Sequence, residues 1–181
     1  KNFYLEKKLG LVGDNFTKKD VIEKLPGSYA IGHNRYSTAG GAVLRNVQPF
    51  FADLSSGPIS IAHNGNLTNG ISLREKLVQK GSIFQSTSDT ETIIQLIAVS
   101  KRTNFIDKLI DALFQIQGGF SLVVMTGKKL IGVRDPFGIR PLVLGDLDGS
   151  PILTSETCTL DIIGAKFIRE IENGEIVVIT N

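Results

Sequence analysis

Short apolar runs punctuated by Gly, Asn and Pro alternate along this chain with longer segments whose apolar residues recur every three or four positions. The runs predict strands and the longer segments predict helices. Ser28–His33 is a short strand-like segment leading into a polar, Gly-rich stretch, and Pro58–His63 is a clearer strand. Leu73–Lys80 reads as a helix, with Ser72 as its cap and Gly81 ending it. Ser88–Lys101 reads as a second, largely buried helix through Ile93, Ile94, Leu96, Ile97 and Ala98, and Ser88 with Glu91 matches a capping box. Phe105, Leu109, Ala112, Leu113 and Ile116 place a third helix over Asn104–Ile116, which Gly118 and Gly119 break.

Beyond Gly119 the pattern turns to strands. Phe120–Met125 and Leu130–Val133 flank Thr126–Lys129, a hairpin signal. Leu142–Gly145, Ile152–Ser155 and Ile176–Ile179 add three more, with a turn at Asp146–Ser150. Lys1–Leu5 begins as though inside a strand, without Met and without a signal-peptide pattern, so a piece of a longer protein is expected. No repeat, low-complexity segment or linker interrupts residues 1–181. The expected architecture is one α+β domain of helices among antiparallel strands, with two sheets covered by helices.

Composition narrows the class only a little. With 181 residues, 41% hydrophobic and 21% charged, the chain can build a real core. A net charge of +2, with Lys pairs scattered at Lys7–Lys8, Lys18–Lys19 and Lys128–Lys129, argues against nucleic acid or an acidic membrane as partner. One cysteine, Cys158, rules out an internal disulfide and a cysteine-cluster metal site, and with no His near it in sequence it reads as a buried, inert thiol. No apolar run approaches the ~18 residues of a transmembrane helix, and a cytoplasmic protein is expected.

Candidate chemistry sits in four clusters. Ala62–Asn69 holds His63, Asn64, Gly65, Asn66, Thr68 and Asn69 just past a strand, and is expected to be a loop. Fixed amide donors at a strand end suit the oxyanion of an acyl transfer. Arg35, in the stretch Ile31–Gly41, has the planar fork that takes a carboxylate, although a surface Arg in a Gly-rich turn is an equal reading. Asp89 falls in the first turn of the second helix, where the helix dipole alone would favour it, or where it could meet an ammonium group. Cation, anion and amide-rich loop together suit an α-amino acid with a side-chain amide. Arg134–Leu142 joins two strands through a tight Asp-Pro turn, and Arg134, Asp135 and Arg140 suggest a structural ion network. His33 and His63 lack the further ligands that zinc needs, and read as core or supporting histidines.

These motifs, with Gln48–Phe50, Ser86–Glu91, Ser155–Cys158 and Asp161–Ala165, resemble in the same order the class II glutaminase domain of the amidophosphoribosyltransferase (glutamine phosphoribosylpyrophosphate amidotransferase) family. The resemblance spans essentially the whole chain. It implies an N-terminal nucleophile (Ntn) hydrolase-type αββα four-layer sandwich that lacks its first strands. It implies an enzyme that hydrolyses glutamine and passes ammonia to phosphoribosyl pyrophosphate, giving phosphoribosylamine for purine biosynthesis. By the match, Arg35 holds the substrate carboxylate and Asp89 its ammonium. Asn64 (side chain) and Gly65 (backbone N–H) form the oxyanion hole, Tyr36 and the loop toward Arg45 close over glutamine, and Thr38 joins the substrate contacts.

The family's nucleophile is a mature N-terminal Cys, whereas residue 1 here is Lys. The 181 residues are therefore expected to be a partial type-2 glutamine amidotransferase domain, inactive alone, with the phosphoribosyltransferase half outside them. No cofactor is expected within the chain, Mg2+ is expected in the transferase half, and an iron–sulfur cluster is left open. The expected partners are glutamine and phosphoribosyl pyrophosphate, in a homo-oligomer. Sugar-phosphate aminating relatives carry Trp after the site Arg, where Tyr36 stands, and asparagine synthetase carries a different Asn-Gly loop. A glutamine-binding module without catalysis is the remaining alternative.

Overall fold

The computed structural model describes residues 2–34 and 43–180. Two short helices, α1 (Val12–Asn15) and α2 (Lys19–Glu23), come first, followed by a 3-10 turn at Leu44–Asn46. Then come β1 (Phe50–Leu54), β2 (Gly57–Leu67), α3 (Gly70–Gln79), α4 (Asp89–Val99) and α5 (Phe105–Leu113). The remainder is β3 (Gly118–Thr126), β4 (Lys129–Arg134), β5 (Val143–Leu147), β6 (Ser150–Thr154), α6 (Thr157–Ile163), β7 (Lys166–Glu170) and β8 (Ile176–Thr180).

The strands form two antiparallel sheets, β1-β2-β3-β4-β8 and β6-β5-β7. Strand alternation divides the large sheet into two unlike faces. Ile61 and His63 of β2 pair with Val124 and Leu122 of β3, which in turn pair with Ile131 and Val133 of β4. The apolar members of this row pack with Leu73, Leu77, Ile93, Ile97, Leu109 and Ala112 of α3–α5 in the main core. The opposite face carries Ala62 and Asn64, Ser121 and Val123, and Gly132. A Cβ on Gly132 would come within 2.8 Å of Leu153 on β6 and 3.2 Å of Leu142, so this glycine marks where the sheets press together. On the far side of the small sheet, a Cβ on Gly145 would lie 2.5 Å from Leu160, the buried residue of α6. The order is therefore helices, sheet, sheet, helix, as the αββα expectation requires.

Several expectations need correction. The amide-rich stretch is not a loop after a strand, because β2 continues through it to Leu67. The register Asn64↔Ser121 through Leu67↔Gly118 supplies ladder partners there. Ser72 does not cap α3: the helix starts at Gly70 with Asn69 in the cap position, and Ser72 Oγ instead donates to Asn69 C=O at 3.0 Å. Ser88 does cap α4, accepting from Thr90 N–H, but Glu91 does not close a capping box. Glu91 turns away to accept from Gln85 N–H, Ser86 N–H and Ser86 Oγ at 2.6–2.8 Å, which fixes the loop entering the helix. Residues 28–34 and 2–8 join no ladder among the described residues, so no strand forms at either place. Cys158 is exposed, not buried, because α6 turns Leu160 inward and leaves Cys158 on its outer side. The sequence pattern alone gives no sign of α1, α2, β1, β7 or α6.

Candidate active site

β2 carries candidate site residues on both its faces. His63 points into the helix layer and is 3% exposed, which confirms it as a core histidine. Its main chain lies beyond the start of β1, where Gln48 takes over the ladder: Gln48 Oε1 accepts from His63 N–H at 2.7 Å and Gln48 Nε2 donates to His63 C=O at 3.3 Å. The ring Nδ1 lies 3.3 Å from Thr90 Oγ1 and 3.4 Å from Asp89 Oδ1. Asp89 Oδ2 accepts Leu67 N–H at 2.9 Å. The first residue of α4 is thus tied to the end of β2 by two bonds, with its side chain still one-quarter exposed. Burial works against the Asp89 charge, but the His63 contact and the Leu67 and Thr90 N–H groups outweigh it and hold the carboxyl below its ordinary range. An ionised, partly open carboxylate at this place can pair with a ligand ammonium.

Asn64 points the other way, into the gap between the sheets. A cleft of about 130 Å3 opens there, with Ala62, Asn64, Ser121, Leu142, Leu153 and Thr154 on its walls. Gly65 follows at φ +146°, in a region essentially reserved for glycine. A Cβ there would sit 2.1 Å from Gly119 C=O, so β3 approaches too closely for any side chain. Gly65 is in register with Phe120, whose N–H and C=O both turn to Asp135. Gly65 and Phe120 are therefore a pair that exchanges no ladder bonds, and the Gly65 N–H lies on the side of β2 that β1 no longer covers. A side-chain amide and a backbone N–H on adjacent residues can hold one oxyanion between them.

The turn after β4 buttresses this end of the sheet, though not by the ion network expected from its charges. Asp135 is fully buried and accepts N–H bonds from Phe120, Phe137, Ile139 and Arg140 at 2.9–3.3 Å. Burial disfavours its charge, and those four donors more than compensate, so its carboxyl also sits below the ordinary range. Arg134 donates to Arg140 C=O, Ile171 C=O and Gly138 C=O and reaches Glu170 at 3.3 Å. Arg140 reaches Asn64 instead, Nη2 to Oδ1 at 2.7 Å.

The structure thus gathers Asn64, Gly65 and Asp89 at one end of β2. Arg35, Tyr36 and Thr38 lie outside the described residues, and Arg45 lies in the 3-10 turn. Arg140, Gln48 and Thr90 join the site unforeseen. Cys158, on α6, lines neither the cleft nor the contacts of Asn64. A larger hollow of about 1070 Å3, walled mainly by residues 2–12, 25–34 and 47–49, touches none of Asn64, Gly65 and Asp89. Among the described residues no group of three His, Cys, Asp or Glu is placed to hold a metal ion, and no helix is long and apolar enough to cross a membrane.

A family model described as the glutamine amidotransferase domain matches residues 33–161. The chain belongs to the glutamine amidotransferase family. Among its relatives, amidophosphoribosyltransferase of Rhizobium etli is 57% identical over 98% of this chain and 36% of its own length. The chloroplastic amidophosphoribosyltransferase of Glycine max is 50% identical over 94% of this chain and 30% of its own. A solved structure of the allosteric regulatory enzyme of purine biosynthesis superposes on this amidotransferase domain with a TM-score of 0.91 at 39% identity, over 95% of this chain and 37% of that one. Glutamine phosphoribosylpyrophosphate amidotransferase from B. subtilis, complexed with ADP and GMP, gives 0.88 at 37% identity over the same shares. The chain thus spans about a third of the length of the relatives it matches. The αββα Ntn hydrolase-type fold follows from these matches and from the layer order.

Proposed function

We propose that this amidotransferase domain hydrolyses the side-chain amide of glutamine, and that the whole protein uses the ammonia to convert phosphoribosyl pyrophosphate to phosphoribosylamine. The observation that carries the reading is the adjacent donor pair at Asn64 and Gly65, with the ionised Asp89 carboxylate at the same end of β2. In this reading Asp89 takes the substrate ammonium. Arg35 takes the carboxylate, and Tyr36 and Thr38 complete the pocket. The scissile carbonyl lies against Asn64 Nδ2 and Gly65 N–H, which stabilise the negative oxygen as the amide carbon becomes tetrahedral.

In this reading the nucleophile is a Cys that these 181 residues do not provide, since Cys158 lies on α6 and does not line the cleft beside Asn64. Lys1–Asn181 alone would therefore release no ammonia from glutamine. Residues 1–181 are read as part of a type-2 glutamine amidotransferase domain. The transferase half would bring the phosphoribosyl pyrophosphate site with its Mg2+, in a cytoplasmic homo-oligomer that binds neither nucleic acid nor membrane.

The test uses the full-length protein. Glutamine with phosphoribosyl pyrophosphate should yield glutamate and pyrophosphate, and ammonia should replace glutamine. Asn64→Ala should slow the glutamine-dependent rate by about 100-fold or more and spare the ammonia-dependent rate. Glutamine binding without glutamate release would instead identify a non-catalytic module.

A further inference from the structure

We propose that Arg140 is a positioning residue for this reaction: it orients the Asn64 carboxamide so that the NH2 edge faces the reacting carbonyl. The inference rests on the glutaminase reading above. The contact is Arg140 Nη2 to Asn64 Oδ1, 2.7 Å long, between residues 76 apart in sequence. A guanidinium has donors and no acceptor. The atom it touches must therefore be the amide oxygen, and the two N–H donors of Asn64 are left on the opposite edge. Rotating the amide by half a turn would set NH2 against guanidinium and aim oxygen lone pairs at the developing oxyanion, two repulsive contacts in place of two attractive ones. Without Arg140, little in the described surroundings separates the two orientations.

Arg140 is itself held in place. Its N–H donates to buried Asp135 at 2.9 Å and its C=O accepts from Arg134 Nε at 3.1 Å, so its main chain is fixed on both sides. Its side chain has no such structural employment. Among the described residues it forms no ion pair, and its Nε is buried without a partner. A cation one hydrogen bond behind the oxyanion donor, uncompensated by a carboxylate, polarises the amide and favours the anionic intermediate over the neutral substrate. Such an interaction belongs to the transition state and should register in kcat more than in KM.

The experiment is steady-state kinetics of the full-length protein with glutamine or ammonia as nitrogen donor, on Arg140→Met, Arg140→Lys, Asn64→Ala and the Asn64→Ala/Arg140→Met pair. Arg140→Met should lower the glutamine-dependent kcat by about 10–100-fold, less than loss of the donor itself, with glutamine KM within about threefold and the ammonia-dependent rate unchanged. Arg140→Lys, which keeps a donor and a charge, should recover part of the loss. Because Arg140 acts through Asn64, the double variant should be no slower than Asn64→Ala alone. An additive double variant, a KM that rises while kcat holds, or an equal fall with ammonia would overturn the proposal while leaving the glutaminase reading intact. A parent protein that releases no glutamate would bring down that reading, and this proposal with it.

Discussion

Gly65→Ala probes the proposed oxyanion site with a single methyl group. The added Cβ would stand 2.1 Å from Gly119 C=O and 2.8 Å from Phe120 Cα. Carbon–oxygen contacts settle no closer than about 3.3 Å, so β2 and β3 must part by roughly 1 Å. An alanine held at φ +146° adds strain of about 1–3 kcal/mol. Both effects fall on the residue whose N–H we propose as one of the two oxyanion donors, and a displacement of about 1 Å at a reacting centre can cost on the order of 100-fold in rate. The expected result, in the full-length protein, is a glutamine-dependent kcat down by about 100-fold, a KM changed by less than kcat, and an ammonia-dependent rate close to the parent's. A folded Gly65→Ala protein with kcat within about threefold of the parent would refute both the close-approach argument and the role of the Gly65 N–H.

Asp89→Asn should raise glutamine KM by about 10–100-fold, the equivalent of losing a charge-assisted bond of about 1.5–3 kcal/mol. Because the Asp89 carboxyl lies below its ordinary range, KM should stay level down to about pH 5 and rise only as acid protonates it. Asp135→Asn turns one of two oxygens into a donor and strands two buried N–H groups, so the domain should lose about 2–5 kcal/mol by urea titration. The folded-state pKa of Asp135 is depressed, so its stabilisation is present above the unfolded value near about 3.9 and is lost as pH falls through the folded value; that acid loss should be absent from the variant. Cys158→Ser should leave glutamine hydrolysis unchanged, and Cys158 in the folded protein should react readily with a thiol reagent, as its exposure requires.

Where a local pattern determined the structure, it could be read in advance. The run of Ile93, Ile94, Leu96 and Ile97 and the Ser88 cap located α4, and with it Asp89, because helix period and capping are properties of neighbouring residues. β3 and β4 were legible from apolar runs around a turn. The misses depended on distant partners. Asn64 and Arg140 meet across 76 residues, and a charged turn gives no sign that its Arg will leave its own Asp for an Asn on another strand. Gln48 stands in for a strand residue beside His63, something only the end of β1 reveals. The exposed β7 carries none of the alternation that marks a half-buried strand. The exposure of Cys158 depends on α6, a short helix with one buried residue, Leu160, and so no repeating apolar face to give the direction of its side chains.

The alternation along β2 also bears on how the domain can change over time. His63 and Asn64 are neighbours in sequence yet face opposite layers, one meeting the Asp89 carboxylate among the helices, the other meeting Arg140 between the sheets. One inserted or deleted residue upstream in β2 would exchange them, sending the imidazole into the cleft and the amide into the oily core. Insertions and deletions should therefore be absent between Pro58 and Asn64 in functional descendants, however freely the Ser55–Ser56 turn varies in length. In this strand the count of residues should constrain function as strictly as their identity.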